Sequence, residues 1–253
     1  MTNFTHMQLL TWNLQSGRAY QQWTTLKTRL LPDITFLQEC CRPEENDQVL
    51  WQAVPRLRTS KNPWGSAVIV SRGTLRHIEL QGFEGWVVGG QWLGALNGDK
   101  RPIYVFSVHA PTKTSDHPRG SYVAEVNAIC ESIRKLLPVD ASLLLGGDFN
   151  FTLGQRAEGE TLKKTKKSEI QALANIESLG VKSCWLTCHP GQPLAQTLSW
   201  SGNPKAAYHC DGLFAPPGWL ENSLCEVFTA PWQKSDHKPM SAWVTPSSPI
   251  QNN

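Results

Sequence analysis

A series of short apolar segments, several of which end in a polar side chain, constrains the fold of this chain more than any other feature. The first covers residues 8–14 and contains Asn13, and the second covers residues 34–39 and ends at Glu39. Short runs rich in apolar, β-branched and aromatic residues are typical of strands. Similar segments follow at residues 66–71, 102–109, 142–145, 210–214, 224–228 and 241–244. The segment 142–145 runs directly into Gly146-Gly147-Asp148-Phe149-Asn150. The sequence therefore predicts many strands, with polar groups at their ends.

Helical periodicity is seen in three stretches. Residues 19–31 carry apolar side chains at helical spacing and stop at Pro32, and residues 121–137 show the clearest helical pattern. A third helix is expected to begin near Ser168, as its N-cap, and to end at Gly180. The mixture of strands and helices predicts an α/β (α+β) fold.

The remaining apolar runs are also interpreted as strands. Residues 74–93 are expected to hold two strands, with Gly89 and Gly90 as a break or bulge. Residues 184–187 and 197–200 are expected to form short strands. Because no repeat or linker interrupts the chain, we expect one domain over residues 1–253, with a frayed tail from about residue 245.

Composition favours a folded chain without a membrane span. Of the 253 residues, 40% are hydrophobic and 18% are charged, which is enough for one large core. No segment approaches the ~20 apolar residues that a membrane-spanning helix needs. The net charge of +3 is compatible with a phosphate-bearing partner but does not require one.

The seven cysteines are scattered, and no signal-peptide pattern opens the chain. We therefore expect a cytoplasmic protein whose thiols pack as small apolar groups. A zinc site at Cys184, Cys188 and His189 is an alternative, although no second ligand pair follows at zinc-finger spacing.

The polar residues at the strand ends are of the types that phosphodiester hydrolysis requires. They are Asn13, Glu39, His109, Asp148, Asn150, Asp211, Asp236 and His237. Carboxylate and amide oxygens suit Mg²⁺, which neutralises charge on the phosphoryl oxygens, and histidines can transfer protons. Each residue alone also has a structural explanation, such as a turn, a solvated strand end or a hydrogen-bonded histidine. Their occurrence together favours a catalytic site.

These residues lie in motifs that resemble those of the endonuclease/exonuclease/phosphatase superfamily, which includes DNase I-like nucleases, AP endonucleases, inositol-phosphate 5-phosphatases and neutral sphingomyelinases. The resemblance covers residues 8 to about 244 and rests on six motifs in the family's order. They are Trp12-Asn13, Gln38-Glu39, Ser107-Val108-His109-Ala110-Pro111, Gly147-Asp148-Phe149-Asn150, Asp211 and Ser235-Asp236-His237-Lys238-Pro239. The resemblance implies a DNase I-like fold, in which two β-sheets pack as a sandwich with flanking helices and the site lies at one edge.

The resemblance also implies a metal site. Glu39 would bind Mg²⁺ directly, and Asn13 and Asp236 would complete the site directly or through water. Mn²⁺ is expected to substitute for Mg²⁺.

The same resemblance implies the catalytic roles. Asp148 would orient or deprotonate the attacking water, and Asn150 would hydrogen-bond a phosphate oxygen. His237, held by Asp211, would stabilise the growing charge on the phosphate. His109 occupies a position that is His in DNase I-like members and Tyr in AP endonucleases, and it would assist the leaving oxygen.

Two features suggest a nucleic-acid substrate. Lys163, Lys164, Lys166 and Lys167 form a basic cluster that would contact successive phosphates, or else a solvated loop. Four tryptophans lie in Gly/Pro/Ser-rich stretches and are expected to be exposed, namely Trp64, Trp200, Trp219 and Trp232. Trp200 and Trp232 are expected to border the site and stack on bases, unless they simply cover the edge of the core.

The sequence thus predicts a Mg²⁺-dependent endonuclease or exonuclease, with DNA favoured over RNA and no membrane insertion. The alternative is a phosphatase or phosphodiesterase that acts on a lipid headgroup, an inositol phosphate or another small phosphate ester. A non-catalytic nucleic-acid-binding protein is a third interpretation, which the complete set of catalytic residue types disfavours. The oligomeric state is left open.

Overall fold

A computed structural model describes residues 6–94, 102–111, 120–156, 165–199, 208–229 and 234–246. It contains two β-sheets of six strands each. The strands of the first sheet are β1 (Met7–Asn13), β2 (Ile34–Cys40), β3 (Val49–Ala53), β4 (Gly65–Val70), β11 (Leu224–Val227) and β12 (Met240–Val244). Those of the second are β5 (Thr74–His77), β6 (Val87–Leu93), β7 (Ile103–His109), β8 (Ser142–Asp148), β9 (Lys182–Ser183) and β10 (Asp211–Ala215).

Each sheet is mixed, with one parallel pair at its centre. The order is β11-β12-β1-β2-β4-β3 in the first sheet and β5-β6-β7-β8-β10-β9 in the second. The pairs β1/β2 and β7/β8 are parallel, and the other paired strands are antiparallel. The parallel pairs require crossover connections, which contain α1 (Tyr20–Leu30) and α2 (Tyr122–Leu136). This architecture confirms the predicted fold of two sheets with flanking helices.

The inner faces of the two sheets form a shared apolar core. Phe36 and Val68 of the first sheet pack in one cluster with Val105, Leu144 and Leu213 of the second. The outer face of the first sheet packs against α1, and that of the second packs against α2 and α3 (Lys167–Glu177). None of the described helices is long and apolar enough to cross a membrane.

Gly146 sets the distance between the sheets at one point of this core. A Cβ atom added at Gly146 would lie 2.3 Å from Cδ2 of Phe36. We expect Gly146→Ala to lower the free energy of unfolding by about 1–3 kcal/mol, because a well-packed core accepts extra volume only by distortion. Urea denaturation would measure the change. Addition of Phe36→Leu should recover part of the loss, and an unchanged midpoint in Gly146→Ala would contradict this account of the packing.

Burial of His209 is expected to make the fold sensitive to acid. Its Nδ1 lies 2.9 Å from the carbonyl oxygen of Ala195. Burial, assisted by His189 and opposed by that hydrogen bond, lowers the pKa of His209 to about 4. The unfolded chain therefore binds more protons than the folded chain between this value and the unperturbed pKa of about 6.5. The free energy of unfolding should fall by about 3 kcal/mol as pH falls through this window.

Denaturation of the wild type and His209→Gln across the same pH range would test this expectation. The variant lacks the titrating imidazole and should show the shallower dependence on pH. Equal slopes would mean that His209 does not contribute.

Several local predictions were wrong. Residues 184–187 are helical, within α4 (Cys184–Cys188), because the Ser183 hydroxyl caps the backbone NH of Leu186 at 3.3 Å. The strand β3 was not predicted. Gly89 and Gly90 form no bulge but lie inside β6, in continuous register with β7. A Cβ atom at Gly89 would lie 2.2 Å from the Val105 carbonyl oxygen, so close strand contact explains this glycine.

One helix boundary also differs from expectation, and the zinc alternative gains no support. The N-cap of α3 is Lys166 rather than Ser168, and the Glu169 carboxylate accepts a hydrogen bond from its NH at 3.0 Å. The residues of the zinc alternative do not form a metal-binding group within the described part of the chain. Instead, the His189 ring stacks on Trp185, with 3.9 Å between ring centroids.

Candidate active site

Strand register brings the polar strand ends together. His109, the last residue of β7, lies opposite Asp148, the last residue of β8. Asp148 in turn lies opposite Asp211, the first residue of β10. In the other sheet, Asn13 at the end of β1 pairs with Gln38, which precedes Glu39. One end of the sandwich therefore carries a row of these side chains from each sheet.

Glu39 is held in a fixed orientation at this end. Its backbone has φ of 49°, a left-handed conformation that is uncommon for glutamate, within a register shift between β2 and β4. The NH and hydroxyl of Ser16 donate to Oε2 of Glu39 at 2.8 and 3.0 Å. The other oxygen, Oε1, faces the Asn13 amide at 3.3 Å and Nε2 of His109 at 3.7 Å.

The pKa of Glu39 lies below its ordinary value. Burial raises this pKa, but the nearby His109 and the hydrogen bonds from Ser16 and Asn13 outweigh the burial. The carboxylate is therefore ionised at neutral pH, and its side chain retains 20% exposure. A fixed, ionised and accessible carboxylate is suited to bind a cation.

Asn13 connects Glu39 to the second carboxylate. Its amide nitrogen donates to Oδ2 of Asp148 at 3.1 Å as well as to Glu39. The Ser235 hydroxyl donates to the Asn13 carbonyl oxygen at 2.7 Å and accepts from the NH of His237 at 3.0 Å. These bonds join the first sheet to the loop that carries Asp236 and His237.

The Gly-Asp-Phe-Asn segment is both a turn and a part of the site. The NH of Asn150 donates to Oδ1 of Asp148 at 2.9 Å, and Asn150 has φ of 57°. The Asn150 side chain donates to the carbonyl oxygen of Ala110 at 2.9 Å, which fixes it beside the loop after β7. The local turn chemistry therefore orients Asp148.

His237 forms a buried pair with Asp211. Its Nδ1 lies 2.9 and 3.0 Å from the two oxygens of Asp211, and its Nε2 lies 3.7 Å from Oδ2 of Asp148. Burial lowers the pKa of His237, but the opposing effect of Asp211 and Asp148 is larger, and together they raise this pKa to about 10. His237 is therefore an imidazolium at neutral pH. Asp236 reaches the same nitrogen, with Oδ1 at 4.0 Å from Nε2.

The pKa of Asp148 is shifted in the opposite direction to that of Glu39. Its pKa is raised, mainly by burial and additionally by Asp211, while His237 and His109 oppose the shift. A carboxylate with a raised pKa accepts a proton more readily than a free aspartate. Glu39 and Asp148 are thus suited to different tasks.

A cavity of about 480 Å³ opens beside these groups. Its lining includes Asn150, Asp236 and His237, together with Tyr122, Arg156 and Tyr208. The cavity gives a substrate access to the His237 side of the site.

Comparison with models of protein families shows the family to which the chain belongs. Residues 10–220 match the model of the endonuclease/exonuclease/phosphatase family. The chain belongs to this family. Enzymes of the endonuclease/exonuclease/phosphatase family cleave phosphoester bonds and depend on divalent metal ions. A search of curated proteins found no match.

Solved structures of the same fold include several enzymes. A 3′-5′ exonuclease from Neisseria meningitidis shares 19% identity with a TM-score of 0.69, over 93% of this chain and 98% of the other. An AP endonuclease from Archaeoglobus fulgidus shares 15% identity with a TM-score of 0.68, over the same shares. A Neisseria 3′ phosphatase bound to a product DNA hairpin shares 17% identity with a TM-score of 0.67, over 93% and 98%. These likenesses confirm the DNase I-like fold.

The residues of this family member fit a hard divalent cation. Glu39 and Asp148 each place a carboxylate oxygen near the Asn13 amide nitrogen, at 3.3 and 3.1 Å, and carboxylate oxygens are ligands that Mg²⁺ prefers. The Asn13 side-chain oxygen accepts a hydrogen bond from the NH of Gln15 at 3.0 Å. Within the described residues, Asp148, Cys210 and His237 also lie close enough to hold a metal ion. However, burial and the neighbouring Asp211 raise the pKa of the Cys210 thiol well above its usual value, so it stays protonated and is a poor ligand.

Of the residues predicted to contact the substrate, only some lie in the described part of the chain. Lys166 and Lys167 are exposed at the start of α3. Lys163, Lys164, Trp200 and Trp232 lie outside the described residues. Trp219 was expected to be exposed, and this was wrong. It is 1% exposed and packs in the core as the last residue of the 3₁₀ turn Pro217–Trp219, because the Pro-rich segment folds back onto the first sheet.

Sequence reasoning missed two groups that border the site. Ser16 anchors Glu39, and its only sequence signal is the turn that follows β1. The other group is an aromatic pair beside His109, formed by Trp64 and Trp86, whose ring centroids lie 5.9 and 5.1 Å from that of His109.

Loss of the Asp211 charge should impair the enzyme without unfolding it. We expect Asp211→Asn to lower kcat by about 10- to 100-fold, as is typical when a group that orients a functional residue is altered. The pKa of His237 should fall because Asp211 is the main group that raises it. Steady-state kinetics and NMR titration of His237 would measure both effects. Unchanged kcat and an unchanged His237 pKa would show that the pairing has no role.

Proposed function

We propose that this protein is a nuclease that hydrolyses DNA phosphodiester bonds with bound Mg²⁺ and an activated water. The observation that carries the proposal is the placement of an ionised, anchored Glu39 and a charged His237 on either side of Asp148. Glu39 is suited to hold a cation, and His237 is suited to contact an anionic phosphate. The activities named for the exonuclease and the AP endonuclease of similar fold support the choice of a nucleic-acid substrate.

The metal site would consist of Glu39, Asn13 and Asp236. Glu39 is the direct ligand, and the other two complete the site directly or through water. Bound Mg²⁺ would neutralise charge that develops on the phosphoryl oxygens, and Mn²⁺ would substitute for it.

The remaining residues would carry out the reaction around the phosphate. Asp148 orients the water and accepts its proton, which its raised pKa favours. His237 donates a charged hydrogen bond from Nε2 to a phosphoryl oxygen while Asp211 holds Nδ1. Asn150 donates to another phosphoryl oxygen, and His109 assists the leaving oxygen.

A second candidate function is hydrolysis of a phosphomonoester or a small phosphate ester. The cavity of about 480 Å³ favours it, because Arg156 and two tyrosines beside the catalytic groups could enclose a compact ligand. The 3′ phosphatase activity named for one enzyme of similar fold also supports it. This candidate would use the same metal and the same catalytic residues.

A substrate panel would separate the two candidates. It includes supercoiled plasmid, single- and double-stranded DNA, a duplex with an abasic site, RNA, a 3′-phosphorylated oligonucleotide and bis(p-nitrophenyl) phosphate. Each is assayed with Mg²⁺, Mn²⁺ or EDTA. Metal-dependent cleavage of DNA that is lost in Asp148→Asn would support the nuclease. Release of phosphate only, or cleavage of the chromogenic ester only, would support the second candidate.

A further inference from the structure

A short segment, residues 197–199, lies between the two chain segments that carry Asp211 and His237. Leu198 in this segment forms antiparallel β-bridges with Tyr208 on one side and with His237 on the other. None of the three residues has a role in the proposed reaction. We call residues 197–199 the bridging segment.

The side chain of Thr197 binds the main chain at Asp211. Its hydroxyl oxygen accepts hydrogen bonds from the NH groups of Cys210 and Asp211, at 3.0 and 3.2 Å. The hydroxyl also faces the carbonyl oxygen of Tyr208 at 3.4 Å and Sγ of Cys210 at 4.0 Å. Because Thr197 is 0% exposed, these contacts are shielded from solvent.

The Thr197 hydroxyl takes the place of a neighbouring strand at this point. On one side, Asp211 pairs with Asp148 of β8. On the other side, β9 pairs with β10 at Phe214 and Ala215, and within the described residues it does not extend to Asp211. Buried backbone NH groups almost always have a hydrogen-bond partner, and Thr197 supplies it here for two of them. The main chain that carries the Asp211 carboxylate is therefore held from both sides.

The main chain of the bridging segment binds the loop that carries His237. The carbonyl oxygen of Thr197 accepts a hydrogen bond from the NH of Lys238 at 2.7 Å, and the NH of Ser199 donates to the Asp236 carbonyl oxygen at 2.8 Å. These two bonds lie on either side of His237 in the sequence. Thr197 thus holds one member of the catalytic pair through its hydroxyl and the other through its carbonyl oxygen.

We infer that Thr197 is a positioning residue of the active site, which holds Asp211 and His237 at the distance that their hydrogen bonds require. Nδ1 of His237 lies 2.9 and 3.0 Å from the two Asp211 oxygens, although the two residues are 26 positions apart in the chain. Hydrogen bonds weaken steeply when their geometry is disturbed, so a small displacement of either main chain would misorient the imidazole. This inference rests on the proposed role of His237 at the phosphate and does not depend on which phosphate ester is the substrate.

A threonine that only stabilises the fold is the alternative, because loss of its hydroxyl leaves two buried NH groups without this partner. The two roles can be separated, since a positioning residue acts through the pair of Asp211 and His237. Its substitution should have little further effect on turnover once that pair is already broken. A purely structural residue should have the same effect whether or not the pair is intact.

The test is a double-mutant cycle between Thr197→Val and Asp211→Asn. Valine has the shape of threonine without the hydroxyl, which Thr197→Ser retains. Thr197→Cys, whose thiol is a weaker acceptor, takes the place of the valine variant if that variant does not fold. Thr35→Val is the matched control, because Thr35 is also a buried threonine and lies near the start of β2, at the other end of the strand from Glu39.

Thermal melting defines a temperature at which each variant is folded, and kcat and KM are measured there on bis(p-nitrophenyl) phosphate and on a DNA duplex. We expect Thr197→Val to lower kcat by about 10- to 100-fold with little change in KM, because a displaced imidazolium stabilises the transition state less well. Thr197→Ser and Thr35→Val should stay close to the wild type. In the Asp211→Asn background, Thr197→Val should lower kcat by less than about threefold.

Proton NMR gives a second readout that needs no turnover. The Nδ1 proton of an imidazolium that is held by a carboxylate resonates far downfield, and its signal is assigned by its absence from His237→Gln. The signal should be present in the wild type and in Thr197→Ser. In Thr197→Val it should move upfield or be lost through exchange with water.

Three results would overturn the inference. If Asp211→Asn lowers kcat but Thr197→Val changes neither kcat nor the downfield signal, the pair does not need Thr197, and the proposed role of His237 survives. If Thr197→Val lowers kcat by the same factor in both backgrounds, its role is structural alone. Full activity in Asp211→Asn would reject the proposed role of the pair and this inference together.

Discussion

Replacement of Asp148 by asparagine is expected to lower kcat on a phosphodiester by about 10²- to 10⁴-fold, the usual loss when a catalytic acid or base is removed. Asparagine keeps the shape of the side chain, and its one oxygen can still accept the hydrogen bond from the backbone NH of Asn150. The bond from Asn13, which goes to the other carboxylate oxygen, is lost. Asparagine cannot take a proton from water. The loss should therefore appear in kcat, and KM should change little.

The same substitution should leave the fold intact or make it more stable. Asp148 is buried, and both its burial and the neighbouring Asp211 disfavour its charged form. Removal of this charge relieves that cost, although His237 loses one of the two carboxylates that stabilise its imidazolium. Functional groups commonly reduce stability in this way.

Thermal melting and kinetics of Asp148→Asn would be measured beside Asp140→Asn, an exposed aspartate that precedes β8. The control should match the wild type in both assays. Retention of more than a tenth of the wild-type kcat in Asp148→Asn would remove Asp148 from the chemistry, and a collapsed fold would show that its charge is structural.

The first half of the fold was largely predictable because its signals are local. Strand β1, helix α1 and strand β2 follow one another, with Pro32 ending the helix, and each lies within a residue or two of its predicted place. The same holds for β7, α2 and β8, where Ser121 caps the helix. Apolar periodicity and caps depend on near neighbours in the sequence, so the sequence alone contains them.

The errors lie where distant contacts decide the structure. Helix α4 has an apolar sequence too short for periodicity to distinguish it from a strand, and the Ser183 cap decides the outcome. Trp219 looked exposed because proline surrounds it, but a turn buries it under the first sheet. Strand β3 is half-buried and, among the described strands, pairs with β4 at the edge of its sheet, so its apolar signal is weak.

For the site as well, local features could be predicted and contacts between distant residues could not. The residue types at the strand ends were visible in the sequence, and the family motifs set them in order. Their geometry depends on pairs far apart in the chain, such as Asp211 with His237 and Asn13 with Asp148. The contact of Trp64 with His109 follows from β4 and β7 lying in facing sheets, and no local pattern announces it.

Replacement of Glu39 should have the second large effect, because we propose that this residue binds the metal ion on which activity depends. We expect Glu39→Gln to lower kcat/KM at limiting Mg²⁺ by about 10²- to 10³-fold, because the cation loses its charged direct ligand and the electrostatic stabilisation it provides weakens. Glutamine keeps the length of the side chain and one oxygen that can accept from Ser16. Raising the Mg²⁺ concentration should therefore recover part of the activity.

Metal binding can be followed separately from turnover. Mg²⁺ should raise the melting temperature of the wild type, because a ligand that binds only the folded state stabilises it, and this shift should shrink in Glu39→Gln. Glu44→Gln, an exposed change five positions along the chain, is the matched control and should behave as the wild type. A Glu39→Gln variant with a normal Mg²⁺ titration and a normal melting shift would move the metal to the Asp148 and Asp236 side of the site. In that case the hydrogen bonds from Ser16 would have a structural role alone. They would hold the strained backbone near the end of β2, where Glu39 has φ of 49°.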